Sequence, residues 1–312
     1  MGRKQLISRL LQMVIVLIGI SIFTFLLTYL SPGDPVRNMY TSAGIMPTEE
    51  LIQATRDEMG LNDPFVTQYL RWIGNCFKGD FGKSYSLNKP VVTLLAARLW
   101  PTLKLTLMSM VLMLIVAVPL GVLSAVHKNK PIDYIVRALT FFGVSIPNFW
   151  VGLLLMLLFC VRLRMLPVVS SGGTFKDLLL PAVTLAIAMS AKYTRQVRTA
   201  VLEELSSDYV VGARARGVKE SKILWGNVFP NSLLPLITML GLSIGSLLGG
   251  TSVVEVIFSY PGLGNLAVNA IMSADYFLIQ GYVLWVSVIY MVINLLVDLS
   301  YNYIDPRMRL RR

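Results

Sequence analysis

The chain has 312 residues, of which 55% are hydrophobic and only 14% are charged, and its mean hydropathy is +0.65. Soluble domains carry about 25% charged residues, so this composition excludes an ordinary soluble protein, and the high apolar content also excludes a disordered chain. The net charge of +11 fits either a nucleic-acid-binding protein or a membrane protein with basic cytoplasmic loops, and the positions of the charges decide between them.

Five apolar runs without a charged residue approach the roughly 20 residues that cross a bilayer. They are residues 10–30, 105–126, 138–161, 232–254 and 276–297. A sixth run, 178–191, is short enough to be a buried or re-entrant segment instead. If it spans, nearly all Lys and Arg residues of the short loops lie on the side of the N-terminus, as the positive-inside rule requires. We therefore predict an all-α, multi-pass cell-membrane protein with six spans and both termini in the cytoplasm, and no nucleic-acid partner.

The longest aqueous segment, 31–103, follows the first span and lies outside the cytoplasm in this topology. Thr48 precedes two acidic residues and is the expected cap of a helix, and Gly60 is the expected end of that helix. The segment is too small for a catalytic domain, so we expect it to cover a pore mouth or bind a partner. The predicted division is the N-terminus and first span (1–30), this segment (31–103) and a core of five spans (104–312), with a large cytoplasmic loop at 195–231.

Three short motifs resemble sites of catalysis or nucleotide binding but lack essential parts. The Gly-Lys-Ser at 82–84 would need a glycine where Phe77 stands to be a P-loop. The G-x-S-x-G at 241–245 has no base, because the sole histidine, His127, lies at the opposite membrane face. The G-x-G-x-x-A at 262–267 has no surrounding βαβ unit. We therefore predict no catalytic, cofactor-binding or metal-binding residue in this chain.

Two features of the predicted spans concern helix packing or a transport path. Gly241, Gly245 and Gly249 recur every four residues in the fifth span, which predicts a smooth helix face for close packing in lipid, or a groove that lines a pore or contacts a subunit. In the third span, Pro147 and Asn148 interrupt the apolar run. The interruption predicts either freed backbone carbonyls that face a cavity or a simple packed kink.

The most informative stretch is the basic loop before the fifth span. Small residues alternate with arginines over 213–217, which predicts a short helix that ends at Gly217, and a second helical segment is expected from 220 to 229. A solvated basic loop is the alternative. The alternation favours a helix that inserts into a groove of another protein.

In this loop the chain resembles the permease subunits of bacterial ABC importers of the dipeptide, oligopeptide and nickel group. The family's motif E-A-A-x3-G-x9-I-x-L-P lacks its Glu and first Ala here, and the branch form D-Y-x-x-x-A-R-A-x-G is matched from Asp208 to Gly217. Further motifs follow in the family's order along nearly the whole chain: Pro-Gly-Asp-Pro at 32–35, Gly-Asp-Phe-Gly-Lys-Ser at 79–84, Gly-Val-Ser-Ile-Pro-Asn-Phe-Trp at 143–150, Tyr-Pro-Gly-Leu-Gly at 260–264 and Asp-Tyr at 275–276.

The resemblance implies the fold of a type I importer permease and four kinds of partner. These are a homologous second permease, two cytoplasmic ATPase subunits that bind ATP and Mg²⁺, an extracytoplasmic substrate-binding protein and the lipid bilayer. The loop would carry the coupling helix that rests on one ATPase, with contacts from Ala213, Arg214, Ala215, Arg216, Gly217, Lys219 and Pro230. The segment 31–103 and the loop 259–275, in which glycines suit a tight turn, would dock the binding protein through Asp34, Asp80, Pro261, Gly262 and Gly264.

The cargo implied by the resemblance is nickel, free or chelated, or a di- or oligopeptide. The chain offers no ligand cluster for nickel, although the spacing of the outer segment is slightly closer to that of nickel permeases. Two other classes stay open at this point, a secondary transporter and a non-transporting membrane scaffold. The scarcity of acidic residues inside the spans disfavours an ion-driven carrier.

Overall fold

The computed structural model describes residues 3–42 and 44–304. The C-terminal stretch 305–312, predicted to be cytoplasmic, lies outside the described residues. Almost all regular structure is helical, as predicted. In chain order the elements are α1 (Arg3–Leu30), α2 (Pro35–Ser42), α3 (Glu49–Glu58), α4 (Phe65–Phe77), β1 (Lys83–Ser84), β2 (Lys89–Pro90), α5 (Val91–Val126), α6 (Pro131–Ser145), α7 (Asn148–Met156), a π-helical turn (Leu157–Arg162), α8 (Phe175–Leu205), α9 (Asp208–Ala215), α10 (Glu220–Ile223), a second π-helical turn (Leu224–Val228), α11 (Phe229–Gly250), α12 (Ser252–Ile257), α13 (Leu263–Met272) and α14 (Tyr276–Ile304).

The chain forms two compact units. Of the described residues, the first contains 3–42, 44–102 and 261–295, and the second contains 103–260 and 296–304. The long helices α5 and α14 therefore each contribute to both units. In the first unit, the segment after α1 packs with residues from the last third of the chain. The three-part division expected from the sequence stays a prediction.

Four helical stretches of the described chain are long and apolar enough to cross a membrane: Ile7–Leu30, Val91–Val126, Glu220–Gly245 and Tyr276–Val297. The pair Pro131–Ser145 and Asn148–Arg162 is a fifth candidate if it counts as one span. The predicted span 178–191 lies inside α8, which is not among these candidates. A multi-pass membrane chain is confirmed, and the count of six stays a prediction.

The interruption at Pro147 is much sharper than a simple packed kink. The helices on its two sides, α6 and the stretch from Asn148, meet at 94°. The cause is local, since Ile146 adopts an extended conformation (φ −86°, ψ 128°), as the residue before a proline tends to do. Asn148 then begins α7, directly after Pro147.

The expected helix signals of the outer segment are confirmed. The hydroxyl of Thr48 accepts a hydrogen bond from the Leu51 N–H and caps α3, and Gly60, just beyond its end, has a φ of +66°. The expectation of a loop with a tight turn at 259–275 is wrong in its centre. Residues 263–272 form α13, so Gly264 lies inside a helix rather than in a turn.

Aromatic and aliphatic side chains form the core of the first unit. Phe25 of α1 contacts the rings of Phe65, Tyr69 and Trp72 on α4, which holds the outer segment against the first span. A second cluster joins the start of α5 to α13 and α14; its buried members are Val91, Leu95, Leu263, Leu266, Ala270 and Leu278.

Helix α8 lies at the centre of the second unit. It begins with a capping box in which Thr174 and Asp177 each accept a hydrogen bond from the other's backbone N–H, an arrangement that satisfies two donors of the first turn. Fourteen of its residues are buried, and it packs against α6, α7 and α11. Burial on this scale identifies α8 as an internal helix of the unit.

Candidate functional site

The candidate coupling site consists of α9 and α10, residues 208–223, which we call the elbow. Helix α9 ends as the sequence predicts, although it begins earlier, at Asp208. The N–H of Gly217 donates to the Arg214 carbonyl (2.9 Å) and the N–H of Val218 donates to the Ala213 carbonyl (3.1 Å). These two bonds are a Schellman motif, and the φ of +72° at Gly217 is the left-handed conformation that the motif requires.

Buried aliphatic side chains seat the elbow on the second unit. Val210 of α9 is fully buried and Ile223 of α10 is 1% exposed, and both belong to one apolar cluster with residues of α5 and α8. Ala213 and Val218 pack against the same cluster. Because both short helices share one core with long helices, the elbow and the ends of α5 and α8 form a single packed body.

The outer face of the elbow is open. Val211 is 59% exposed, and Trp225, just beyond α10, is 55% exposed. The predicted coupling residues Arg214, Ala215, Arg216, Gly217 and Lys219 of the elbow are also exposed, and so is Pro230, which lies beyond the elbow in α11. The predicted coupling residue Ala213 instead faces partly inward, toward the cluster. An apolar and basic surface on a rigid base has the properties of a contact surface for another protein.

One ion pair closes the elbow on itself, and the hydroxyl of Tyr209 bonds the elbow to its neighbouring helices. Arg214 donates Nε to one carboxylate oxygen of Glu220 (2.7 Å) and Nη2 to the other (3.1 Å), and this bond raises the pKa of Arg214. Tyr209 donates its hydroxyl to Glu204 of α8 (2.6 Å). Asn231 of α11 donates to the same hydroxyl (3.4 Å). The two hydrogen bonds of Tyr209 therefore link the elbow to α8 before it and to α11 after it.

A buried ion pair beside the elbow was missed by the sequence analysis. Asp133 in the first turn of α6 is fully buried, and Arg198 of α8 binds both of its oxygens at 2.7 Å. The Ser124 hydroxyl (2.6 Å) and the Asn129 N–H (2.9 Å) complete its partners. One carboxylate therefore ties α5, α6 and α8 together. The sequence showed Arg198 only as a loop charge, and no spacing rule connects it to a residue 65 positions earlier.

The residues predicted for packing or a pathway are placed as follows. A Cβ added to Gly241 would lie 2.3 Å from a methyl carbon of Val297, so α11 and α14 approach closely there. Gly245 is also buried, while the surroundings of Gly249 lie outside the described part of the chain. Close packing at Gly241 agrees with the packing interpretation of the glycine series, and a pathway role for these positions stays a prediction.

The five residues predicted to dock a binding protein differ in burial and in hydrogen-bond partners. Asp34 accepts from the Val36 N–H (3.0 Å) and pairs with Arg56 (3.1 Å), which joins α2 to α3. Asp80 accepts from the Gly82 N–H (2.9 Å) and is exposed. In the other group, Gly262 and Gly264 are buried and Pro261 is half-buried. Docking stays a prediction for all five.

A second fully buried carboxylate explains two motifs that had no role in the sequence analysis. Asp275 accepts from the Ser84 hydroxyl (2.6 Å), from the Ser86 hydroxyl (2.7 Å) and N–H (3.1 Å), and from the Leu278 N–H (3.2 Å). Tyr85 donates its hydroxyl to the Ala274 carbonyl. The β1–β2 hairpin is thus fastened to the start of α14 within the first unit.

Two family models match the chain. The model described as binding-protein-dependent transport system inner membrane component covers residues 117–310. The model for the N-terminal part of the same transport-system membrane components covers residues 3–106. Together the two matches extend over nearly the whole chain.

Curated relatives and one solved structure agree with this match. The chain is 40% identical to the oligopeptide transport system permease protein AppB of Bacillus subtilis, over 97% of this chain and 98% of the relative. It is 35% identical to the probable D,D-dipeptide transport system permease protein DdpB of Escherichia coli (95% and 94%) and 37% identical to the E. coli glutathione transport system permease protein GsiC (98% and 99%).

The fold is similar to that of a chain in the inward-facing MetNI methionine ABC transporter, with a TM-score of 0.59 at 18% identity, over 68% of this chain and 96% of that one. This likeness supports the type I permease fold that the sequence motifs implied. The matched family models and relatives confirm the expected family, and together with the apolar helices they confirm the multi-pass inner-membrane location. The chain belongs to the family of binding-protein-dependent transport system inner membrane components, the permease subunits of ABC importers.

Proposed function

We propose that this chain forms half of a translocation pathway for short peptides, and that its elbow transmits the closing of an ATPase subunit to the membrane helices. In this proposal a homologous permease supplies the other half of the pathway. Two ATPase subunits bind ATP and Mg²⁺, and an extracytoplasmic protein delivers the peptide. The chain itself contributes no catalytic group.

The observation that carries the coupling proposal is the construction of the elbow. Val210 and Ile223 seat it on the cluster that also contains the ends of α5 and α8, while Val211 and Arg216 are left exposed. A coupling element must be packed rigidly against the membrane helices and exposed toward the ATPase subunit. A flexible junction would dissipate the few kcal/mol that bias a two-state conformational change.

The cargo proposal rests on the relatives. The three curated relatives described above are named for oligopeptides, D,D-dipeptides and glutathione, and none of these three names refers to nickel. We therefore propose a peptide cargo, in place of the slight preference for nickel drawn from the outer segment. Binding measurements on the partner receptor, with short peptides and with nickel chelates, test this choice. Tight binding of a nickel chelate and no peptide would contradict it.

The coupling proposal is tested by a charge on the exposed face of the elbow. In the full complex reconstituted into vesicles, we expect Val211→Glu to lower ATP-driven peptide uptake by about tenfold, which corresponds to about 1.4 kcal/mol of lost interaction. The matched control is Val169→Glu. Val169 lies in the loop before α8 in the same unit, is 63% exposed, and lies outside both the elbow and the candidate membrane spans, so uptake by this variant should equal that of the wild type.

Two outcomes would overturn the proposal. If Val211→Glu retains full uptake and full retention of the ATPase subunits, the elbow is not the coupling surface. If the purified chain alone supports full uptake without ATPase subunits, the protein is a secondary transporter. A non-transporting membrane scaffold predicts that Val211→Glu leaves ATP-coupled transport unchanged.

A further inference from the structure

A cavity of about 470 Å³ lies within the first unit. Its walls come from the end of α1, from α3 and α4, and from the start of α14. The side chains that line it include Phe25, Arg56, Arg71, Trp72, Asp80 and Gln280. With the exception of Asp80, none of them has a role in the proposed function.

Two buried side chains of the wall each have a polar atom without a partner. Trp72 is 7% exposed and Gln280 is 5% exposed. The Nε1–H donor of Trp72 and the Oε1 acceptor of Gln280 make no hydrogen bond to any described residue. Buried polar groups are nearly always satisfied, so such a pair indicates a ligand that both accepts and donates.

The orientation of the Gln280 amide is set by its neighbour. Its Nε2 donates to the Thr28 hydroxyl oxygen at 2.5 Å, and that hydroxyl donates to the Phe25 carbonyl at 2.9 Å. Since the amide nitrogen has its partner, the oxygen is the atom that remains for a ligand. A ligand that satisfies Gln280 must therefore carry an N–H or O–H group.

The charges at the wall disfavour an anionic ligand. Arg56 is paired with Asp34, and Arg71 is paired with Asp63. Neither Asp34 nor Asp63 lines the cavity, so each lining arginine is neutralised by a carboxylate outside the wall. Asp80 is the remaining lining charge, and no ion pair neutralises it among the described residues. The excess carboxylate favours a ligand that contains a cationic group, while the paired guanidinium groups still offer donors to phosphate oxygens.

The position of the cavity along the spans favours a lipid. It lies where the candidate span Ile7–Leu30 ends and the candidate span Tyr276–Val297 begins, which is the depth of lipid headgroups. Tyr29, Trp72 and Tyr276 line it, and Trp and Tyr are enriched at this depth. Leu27 lies on the same turn of α1 as Tyr29. It is 54% exposed and offers apolar surface to an acyl chain.

We propose that this cavity holds the headgroup of a phosphatidylethanolamine molecule. The ammonium group donates to Gln280 Oε1 and is attracted by Asp80, and a phosphate oxygen accepts from Trp72 Nε1. The proposal is independent of the transported cargo and of the elbow, and lipid binding can be measured without transport.

The test is native mass spectrometry of the full complex in detergent, titrated with phosphatidylethanolamine or phosphatidylglycerol. Trp72→Phe removes the N–H and keeps a ring against Phe25. Trp285→Phe is the matched control, because Trp285 Nε1 is also buried without a partner among the described residues but does not line the cavity. We expect Trp72→Phe to weaken phosphatidylethanolamine binding by about tenfold and Trp285→Phe to leave it unchanged.

A second variant keeps the proposal testable if Trp72→Phe does not yield a folded complex. Gln280→Met removes the acceptor at similar volume and should weaken the same lipid. Equal binding of phosphatidylglycerol, or unchanged binding in both variants, would overturn the proposal. So would displacement of the lipid by glycerophosphoethanolamine or by triglycine at equal concentration, because either result would identify the ligand as a free zwitterion rather than a lipid.

Discussion

The two units each contain a fully buried carboxylate that ties distant segments together, and the two are satisfied in different ways. Asp133, in the second unit, binds a guanidinium through both oxygens. Asp275, in the first unit, accepts from two hydroxyls and two backbone N–H groups. The two sites therefore lose different interactions when the negative charge is removed. At Asp133 a buried cation is left without its anion, whereas at Asp275 only neutral donors lose a partner.

The largest effect is expected at Asp133. Asp133→Asn should destabilise the purified complex by about 3 kcal/mol, because Arg198 then lies largely buried beside a neutral amide. The measurement is the midpoint of thermal unfolding in lipid nanodiscs. The double variant Asp133→Leu/Arg198→Leu should be more stable than the single variant, since it removes the stranded charge. A double variant as unstable as the single one would contradict this explanation.

The matched substitution in the first unit should be milder. Asp275→Asn keeps the shape and one acceptor oxygen, so we expect a loss of about 2 kcal/mol. The hairpin held by Asp275 should also become more sensitive to protease near Ser86. If Asp275→Asn and Asp133→Asn destabilise the chain equally, the distinction between the two carboxylates is wrong.

A smaller loss of stability is expected when an apolar contact of the second unit, rather than its ion pair, is disturbed. Gly241→Ala forces a Cβ against Val297 at 2.3 Å and should destabilise the chain by about 1 kcal/mol. The control is Gly212→Ala on α9, where nothing lies within 4 Å of the added carbon and alanine favours the helix. Thermal unfolding should show opposite signs for the two variants, and equal losses would contradict close packing at Gly241.

The smallest effect is expected at Tyr209, whose hydroxyl donates a hydrogen bond to a carboxylate near the surface. Tyr209→Phe removes the bond to Glu204 and should lower stability by about 0.5 kcal/mol, because water replaces most of it. Burial and the Glu204 bond raise the pKa of Tyr209. The bond is therefore complete below the ordinary tyrosine pKa of about 10 and is lost as the pH rises through the higher value in the folded chain. The difference between wild type and variant should be constant from pH 6 to pH 9 and should shrink at strongly alkaline pH.

The features that the sequence by itself determined are those set by residues close together in the chain. The charge-free runs predicted a multi-pass chain, Thr48 and Gly60 predicted the limits of α3, and Gly217 predicted the end of α9. Each of these depends on residues within a few positions of one another, where propensity and capping act. The motif at 208–217 and the further motifs that follow in order along the chain also indicated the family, because each of them is a short continuous stretch of sequence.

Only the tertiary structure decided which distant residues meet. No sequence pattern paired Asp133 with Arg198 or Asp275 with Ser84, since a hydrogen bond across 65 or 191 positions exists only after the helices have packed. The helical turns of α13 and the 94° bend at Pro147 were likewise missed or underestimated. Proline and the residue before it favour an extended backbone, which signals a break but not its angle, and glycine permits several local geometries, among which packing selects one.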